Sequence, residues 1–262
     1  MNPTSVTTSE RSQDLPGVNR VTLDHPWQWL AKGWRDLTRA PRFSLAYGAV
    51  FALISTLLTL GLVYGQLFFL VPPLAAGFFL VAPLLGIGLY EISETLERGD
   101  EVEFCQAWRA WKRNEVHLAG MGVTLLLILV AWMLAANLVF ALLFDRPVPT
   151  WPNFIPEVFL SGESPLFLVA GIGVGGLIAA FTFSITVVSV PLLMDRRIDL
   201  ISAMQTSLQA VRQNWQPMTL WACLIVMFVG IGLATFYIGL IVAMPLVGHA
   251  TWHAYRDLVE PQ

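Results

Sequence analysis

Residues 43–90 read FSLAYGAVFALISTLLTLGLVYGQLFFLVPPLAAGFFLVAPLLGIGLY, 48 consecutive positions without Asp, Glu, Lys or Arg. As one helix this run would be about 72 Å long, more than twice a hydrocarbon core of ~30 Å. It therefore folds back and makes two spans. Gly65 and Gln66, near its middle, are the expected turn, and Tyr64 beside them suits an interfacial belt.

The rest of the chain repeats the pattern. Residues 116–144 predict a third span and 164–194 a fourth. Residues 213–255 again exceed one crossing and predict spans five and six, folding back near Tyr237 and Gly239. The composition agrees: 56% of the 262 residues are hydrophobic and 13% charged. Soluble domains carry about 25% charged residues, so lipid is the solvent for most of this surface. The net charge of −3 points to no nucleic acid. Cys105 and Cys223 stand far apart and imply no disulfide framework.

Basic residues set the orientation. With the N-terminus inside, 14 of the 15 Lys and Arg lie in cytoplasmic segments, and Arg146 alone lies outside. The expected location is a bacterial inner membrane with both termini cytoplasmic. Residues 1–24 lack an apolar signal region and read as a disordered cytoplasmic tail. Residues 145–163 form the one sizeable outer segment, with Trp151 and Phe154 expected at the lipid surface.

Three inner segments look alike. In the first, Trp27, Leu30, Trp34 and Leu37 recur at helical spacing, with Asp24 as a cap and Pro26 in the first turn. In the second, Phe104, Trp108 and Trp111 share a face. In the third, Ile201, Met204, Leu208 and Val211 do so after a capping Asp199. Such helices lie in the interface with basic faces toward anionic headgroups. Spans two, four and six each carry a Pro-Leu step: Pro83-Leu84, Pro191-Leu192 and Pro245-Leu246. The expected fold is therefore all-α, with six transmembrane helices in three parallel hairpin repeats, each preceded by an amphipathic interfacial helix. The membrane domain covers 25–258, its repeats about 25–97, 101–197 and 199–258, and a short tail over 259–262 follows.

Trp34-Arg35-Asp36-Leu37, Ala40-Pro41 and the Leu45, Tyr47, Gly48 start of span one resemble a bacterial family of predicted integral membrane proteins, domain of unknown function 2189. Ala75-Ala76-Gly77-Phe78, Pro83-Leu84-Leu85, Gly88-Leu89-Tyr90-Glu91 and Ala107-Trp108 add to the resemblance, which would cover most of 25–258. The family brings topology and no activity.

Candidate chemistry is sparse. His249 and His253 stand four apart, a spacing that suits a metal or haem edge. No partner ligands stand at matching positions, so the pair reads as interfacial hydrogen-bonding groups. Four histidines cannot furnish a haem–copper catalytic subunit. Gly171-Ile172-Gly173-Val174-Gly175-Gly176 formally matches a dinucleotide fingerprint, but it lies inside an uncharged span. Gly171, Gly175 and Ala179 read instead as a helix-packing face, with Gly61 and Gly65 a weaker one. Thr182, Thr186 and Ser189 share a face that would line a narrow polar path or bond within the bundle. No ionisable residue is expected at mid-membrane, and Glu91, Glu94 and Glu97 read as a solvated helix end.

The expected protein is not an enzyme and carries no cofactor or metal. It is an accessory or assembly partner of another inner-membrane complex, in contact with the bilayer. The alternative is a channel or transporter for a small neutral or lipidic solute.

Overall fold

The computed structural model describes residues 15–103, 106–145, 150, 153–154 and 156–261. The expectations for Phe104, Cys105, Arg146, Trp151 and the Trp108 side chain lie outside what it describes.

Eleven α-helices follow in order among the described residues: α1 (His25–Arg39), α2 (Pro41–Tyr64), α3 (Val71–Leu85), α4 (Ile87–Arg98), α5 (Gln106–Arg113), α6 (Glu115–Leu143), α7 (Pro165–Thr186), α8 (Ser189–Asp195), α9 (Leu200–Gln213), α10 (Trp215–Ala234) and α11 (Leu240–Leu258). Proline opens α1, α2, α3 and α7, where its missing N–H leaves no bond unmade. Asp199 caps α9 by accepting from Ser202 N at 3.0 Å, as expected. Asp24 precedes α1 without such a bond. The chain turns at Gln66, and again at Phe236 and Tyr237, all with left-handed backbone.

Five stretches are long and apolar enough to cross a membrane: Pro41–Tyr64, Phe68–Arg98, Glu115–Leu143, Pro165–Asp195 and Trp215–Ala234. Only about a tenth of each of the first four is buried inside the protein. Their outward side chains, such as Leu53, Leu57, Leu127, Leu134, Ile172 and Leu177, need hydrocarbon around them. α11 differs. It has 19 residues, is apolar in its first half and carries His249, His253, Arg256 and Asp257 in its second. It is buried almost throughout from Ala243 to Tyr255.

The helices group into two sets. α3, α6 and α7 pack together, and α2, α10 and α11 pack together. α2 and α3 meet through Phe51 and Phe78, whose rings lie 6.3 Å apart. α11 is the hub of the second set, and glycine sets its seams. A Cβ on Gly48 of α2 would sit 2.3 Å from the Ile241 carbonyl oxygen. Pro245 has no N–H for that carbonyl, so α2 approaches where the helical ladder of α11 is open. A Cβ on Gly33 of α1 would sit 2.7 Å from Ala250 N. Backbone this close forms only over glycine.

Two of the apolar stretches are interrupted toward their C-terminal ends, and both gaps are closed by side chains. At Gly86, between α3 and α4, Tyr47 donates to the Leu85 carbonyl at 2.6 Å and Tyr90 to the Pro83 carbonyl at 3.1 Å. Between α7 and α8, the Ser207 hydroxyl enters the ladder. It accepts from Val188 N at 3.2 Å and donates to the Ser184 carbonyl at 2.9 Å. α11 runs on through Pro245. The Pro-Leu steps thus share a sequence and differ in backbone.

Several expectations change. The buried face of α1 is Trp29, Leu30, Gly33 and Leu37, while Trp27 and Trp34 are about half exposed. The 3,4 spacing is right, but the seam with α11 lies to one side of the tryptophans. In α9 the buried residues are Ala203, Thr206, Ser207 and Ala210, and Ile201 is exposed, because small residues let α9 reach the α7–α8 gap. Phe154 is buried against Phe68 rather than set at the lipid surface. Of the tail expected over 1–24, residues 1–14 lie outside the described residues, and Gly17 to Val21 are pinned. Asn19 N donates to Leu258 O at 2.9 Å, Glu260 N to Gly17 O at 3.0 Å, and Val21 N to Asn214 Oδ1 at 2.8 Å. The segments 17–19 and 258–260 therefore lie side by side.

Candidate functional site

Two features stand out, an apolar cleft within the bundle and a buried polar junction at its basic end. The cleft has a volume of about 620 Å³. Phe79, Pro83 and Tyr90 wall it from α3 and α4, Ala179 and Phe183 from α7, Ala222 and Val226 from α10, and Met244 and Val247 from α11. α7 and α10 do not pack along their lengths, and this gap is the cleft. Hydroxyls of Tyr90, Ser184, Thr186, Thr219 and Thr251 are among its few polar groups. Most are already committed: Ser184, Thr186, Thr219 and Thr251 each donate to the carbonyl four residues back. What is left is an apolar surface of the size that holds a small molecule.

The junction lies where α1, α2, α4 and α11 meet. The His249 ring is fully buried between Ser44 Oγ, 2.9 Å from Nε2, and Ser93 Oγ, 2.8 Å from Nδ1. His253 Nε2 donates to Asp36 Oδ2 at 2.7 Å, and its Nδ1 lies 3.5 Å from Glu97 Oε1. Arg256 Nε is 3.4 Å from the other Glu97 oxygen. Burial pushes the Asp36 carboxyl up, but the hydrogen bond and charge of His253 outweigh it and hold it below its ordinary value. A second network lies against it on α4. Arg113 donates to Glu94 Oε2 at 2.6 Å and to Glu91 Oε1 at 2.7 Å, and Arg98 also pairs with Glu94. Burial would ease the proton off Arg113, but the two carboxylates reverse this and raise its pKa. Tyr255 of α11 donates to Asp195 at 2.5 Å, and one turn beyond His253 on the side facing α1, Asp257 accepts from Trp29 Nε1 at 2.9 Å.

The expected site residues distribute unevenly. His249 and His253 are both buried within the protein and hydrogen-bonded by its side chains. Sequence spacing cannot show that Asp36, Ser44 and Ser93, far away in the chain, converge on them. Glu91 and Glu94 are 5% and 4% exposed, not a solvated end, because Arg113 reaches them from α5. Thr182, Thr186 and Ser189 do share the buried side of α7 and α8. Each hydroxyl donates to the carbonyl four residues back at 2.5–2.8 Å, and Thr186 alone of the three lines the cleft. Gly175 faces Trp132 of α6, where a Cβ would sit 3.0 Å from the ring, so packing is its role. Gly171 and Gly61 face no neighbour within 4 Å, and Ala179 lines the cleft. Ser207 and Gly33 carry no signal beyond their small size, and Gly48 stands out only within the family resemblance. No group of three or more metal-ligating side chains is present among the described residues.

No curated protein and no solved structure matches the chain. The family resemblance read over most of 25–258 narrows to the middle of the sequence. The motifs at 75–78, 83–91 and 107–108 lie in the matched stretch, and those at 34–48 precede it. Residues 70–195, from α3 through α8, match the family model described as predicted integral membrane protein (DUF2189).

Proposed function

We propose that this is a non-enzymatic membrane protein that admits an apolar, lipid-like molecule into the cleft between α7 and α10. The single observation that carries the reading is the cleft of about 620 Å³, walled by apolar side chains between helices whose outer faces require lipid. An acyl or isoprenoid chain matches such a lining without leaving a polar group unpaired. His249, the group best suited to acid–base chemistry, is sealed from any substrate, which supports a non-enzymatic role.

The wider architecture proposed here is six spans in three parallel hairpin repeats, with the sixth formed by α11. Segments 17–19 and 258–260 lie side by side and so require an even number of crossings between them, which favours six over five. In a ring of three hairpins each returning span packs on the outward span of the next. α3 packs on α6 and α11 on α2 in this way. The third seam of the ring, α7 against α10, is the open one, and the cleft occupies it. Basic flanks favour a bacterial inner membrane with both termini cytoplasmic.

Native mass spectrometry of protein purified in mild detergent tests the cleft. A lipid is expected to remain bound after annular lipid is stripped, and Ala179→Phe with Ala222→Phe should lower its occupancy at least tenfold. Equal occupancy in the filled variant would remove the reading. The half-exposed Trp27 and Trp34 favour a second reading, an accessory partner of another membrane complex. Purification that always yields the chain alone would count against it.

A further inference from the structure

The basic end holds a second, separate cavity of about 230 Å³, lined by Lys32, Arg35, Asp36, Arg39, Glu97 and His253, with Leu96 beside them. At ~30 Å³ per molecule this is room for seven or eight waters, which suits a compact polar group and not an acyl chain. Its charges do not cancel. Lys32 is paired with Asp257 at 3.2 Å. Asp36 is paired with His253 at 2.7 Å, and Glu97 lies 3.5 Å from His253 and 3.4 Å from Arg256. Every acid at the pocket therefore has a cationic neighbour within the protein. Arg35 and Arg39, one helical turn apart on α1, enter no ion pair among the described residues. They leave two fixed positive charges at the rim of a pocket whose floor is neutralised from within.

Two guanidinium forks on one side of a helix match the tetrahedral oxygens of phosphate better than a single planar carboxylate. Arg35 and Arg39 are exposed on α1, the same helix that carries the half-exposed Trp27 and Trp34. Exposed tryptophans favour the headgroup layer, so the pocket mouth opens at phosphate depth. We propose that this pocket binds a phosphate group through Arg35 and Arg39, delivered either as a phospholipid headgroup or as a free phosphate compound. The Asp36–His253–Glu97 floor holds α1 and α11 in the register that keeps the two arginines over the cavity.

The test uses the full chain in mild detergent at constant ionic strength. Thermal unfolding is followed against dihexanoyl phosphatidylglycerol, dihexanoylglycerol, inorganic phosphate and chloride. The phosphatidyl lipid should raise the midpoint saturably and dihexanoylglycerol should not. Arg35→Gln with Arg39→Gln should weaken the lipid's apparent affinity at least tenfold, whereas Arg212→Gln on the exposed side of α9 should not. The variant with the filled cleft should respond like the parent, so this proposal and the cleft reading fail separately. A shift by inorganic phosphate but not by the lipid supports the site and identifies a soluble phosphate compound as its source. An equal shift by dihexanoylglycerol, or full binding by the double variant, overturns it. Should the double variant not fold, displacement of bound lipid by phosphate, read from the lipid's phosphorus resonance in the parent protein, decides. No displacement overturns the proposal.

Discussion

At the scale of single residues, buried polar groups decide what each position is for. Ser207 is the clearest case. Its hydroxyl closes the helical gap between Ser184 and Val188 from a neighbouring helix. Removing it leaves a buried N–H and a buried carbonyl unpaired, each costing about 1–3 kcal/mol. Ser207→Ala is expected to lower the thermal midpoint in detergent by an amount matching about 2 kcal/mol or more; an unchanged midpoint would mean that backbone or lipid closes the gap unaided. No sequence pattern marks Ser207, since serine in an amphipathic helix reads as an ordinary surface position. His249 and Glu91 were visible as titratable residues near helix ends. Their burial was not, because the partners that make it tolerable stand up to 205 positions away in the chain.

At the scale of elements, helix existence followed from apolar run length, and helix contact followed from glycine. The turns at Gln66 and Tyr237 fall where the long uncharged runs had to fold back. The faces of α1 and α9 did not follow, because a 3,4 stripe defines a face only to within the arc that several neighbours share. α11 shows the difference most plainly. Gly48 lies against its Ile241 carbonyl and Gly33 against its Ala250 amide. Gly48→Leu is expected to push α2 off α11 and to lower stability by several kcal/mol, as overpacking against backbone does. Gly61→Leu, which meets no neighbour within 4 Å, should be nearly neutral. Equal midpoints for the two variants in one detergent would show that α2 does not dock here.

At the scale of the whole molecule, two sets of three helices meet through α2 and α3, with the polar junction at one end of α11 and a cleft between α7 and α10. Threading is testable directly. Single cysteines at Ile238 and at Glu260, in a background with Cys105→Ser and Cys223→Ser, should label from opposite sides of the membrane. Ile238 is expected to react with an impermeant maleimide in intact spheroplasts, and Glu260 only after lysis. Reaction of both from outside would invert the proposed orientation. The sequence by itself determined that the chain lives in lipid and where its long uncharged runs turn. Those properties depend on local composition, since transfer to hydrocarbon is summed residue by residue. Only the tertiary structure decided that α11 is the hub, that the histidines are internal, that Glu91 and Glu94 are paired with Arg113, and that a cleft and a rimmed pocket exist. These depend on which distant side chains neutralise one another and where backbone can approach backbone, and neither is written in any single stretch of the chain.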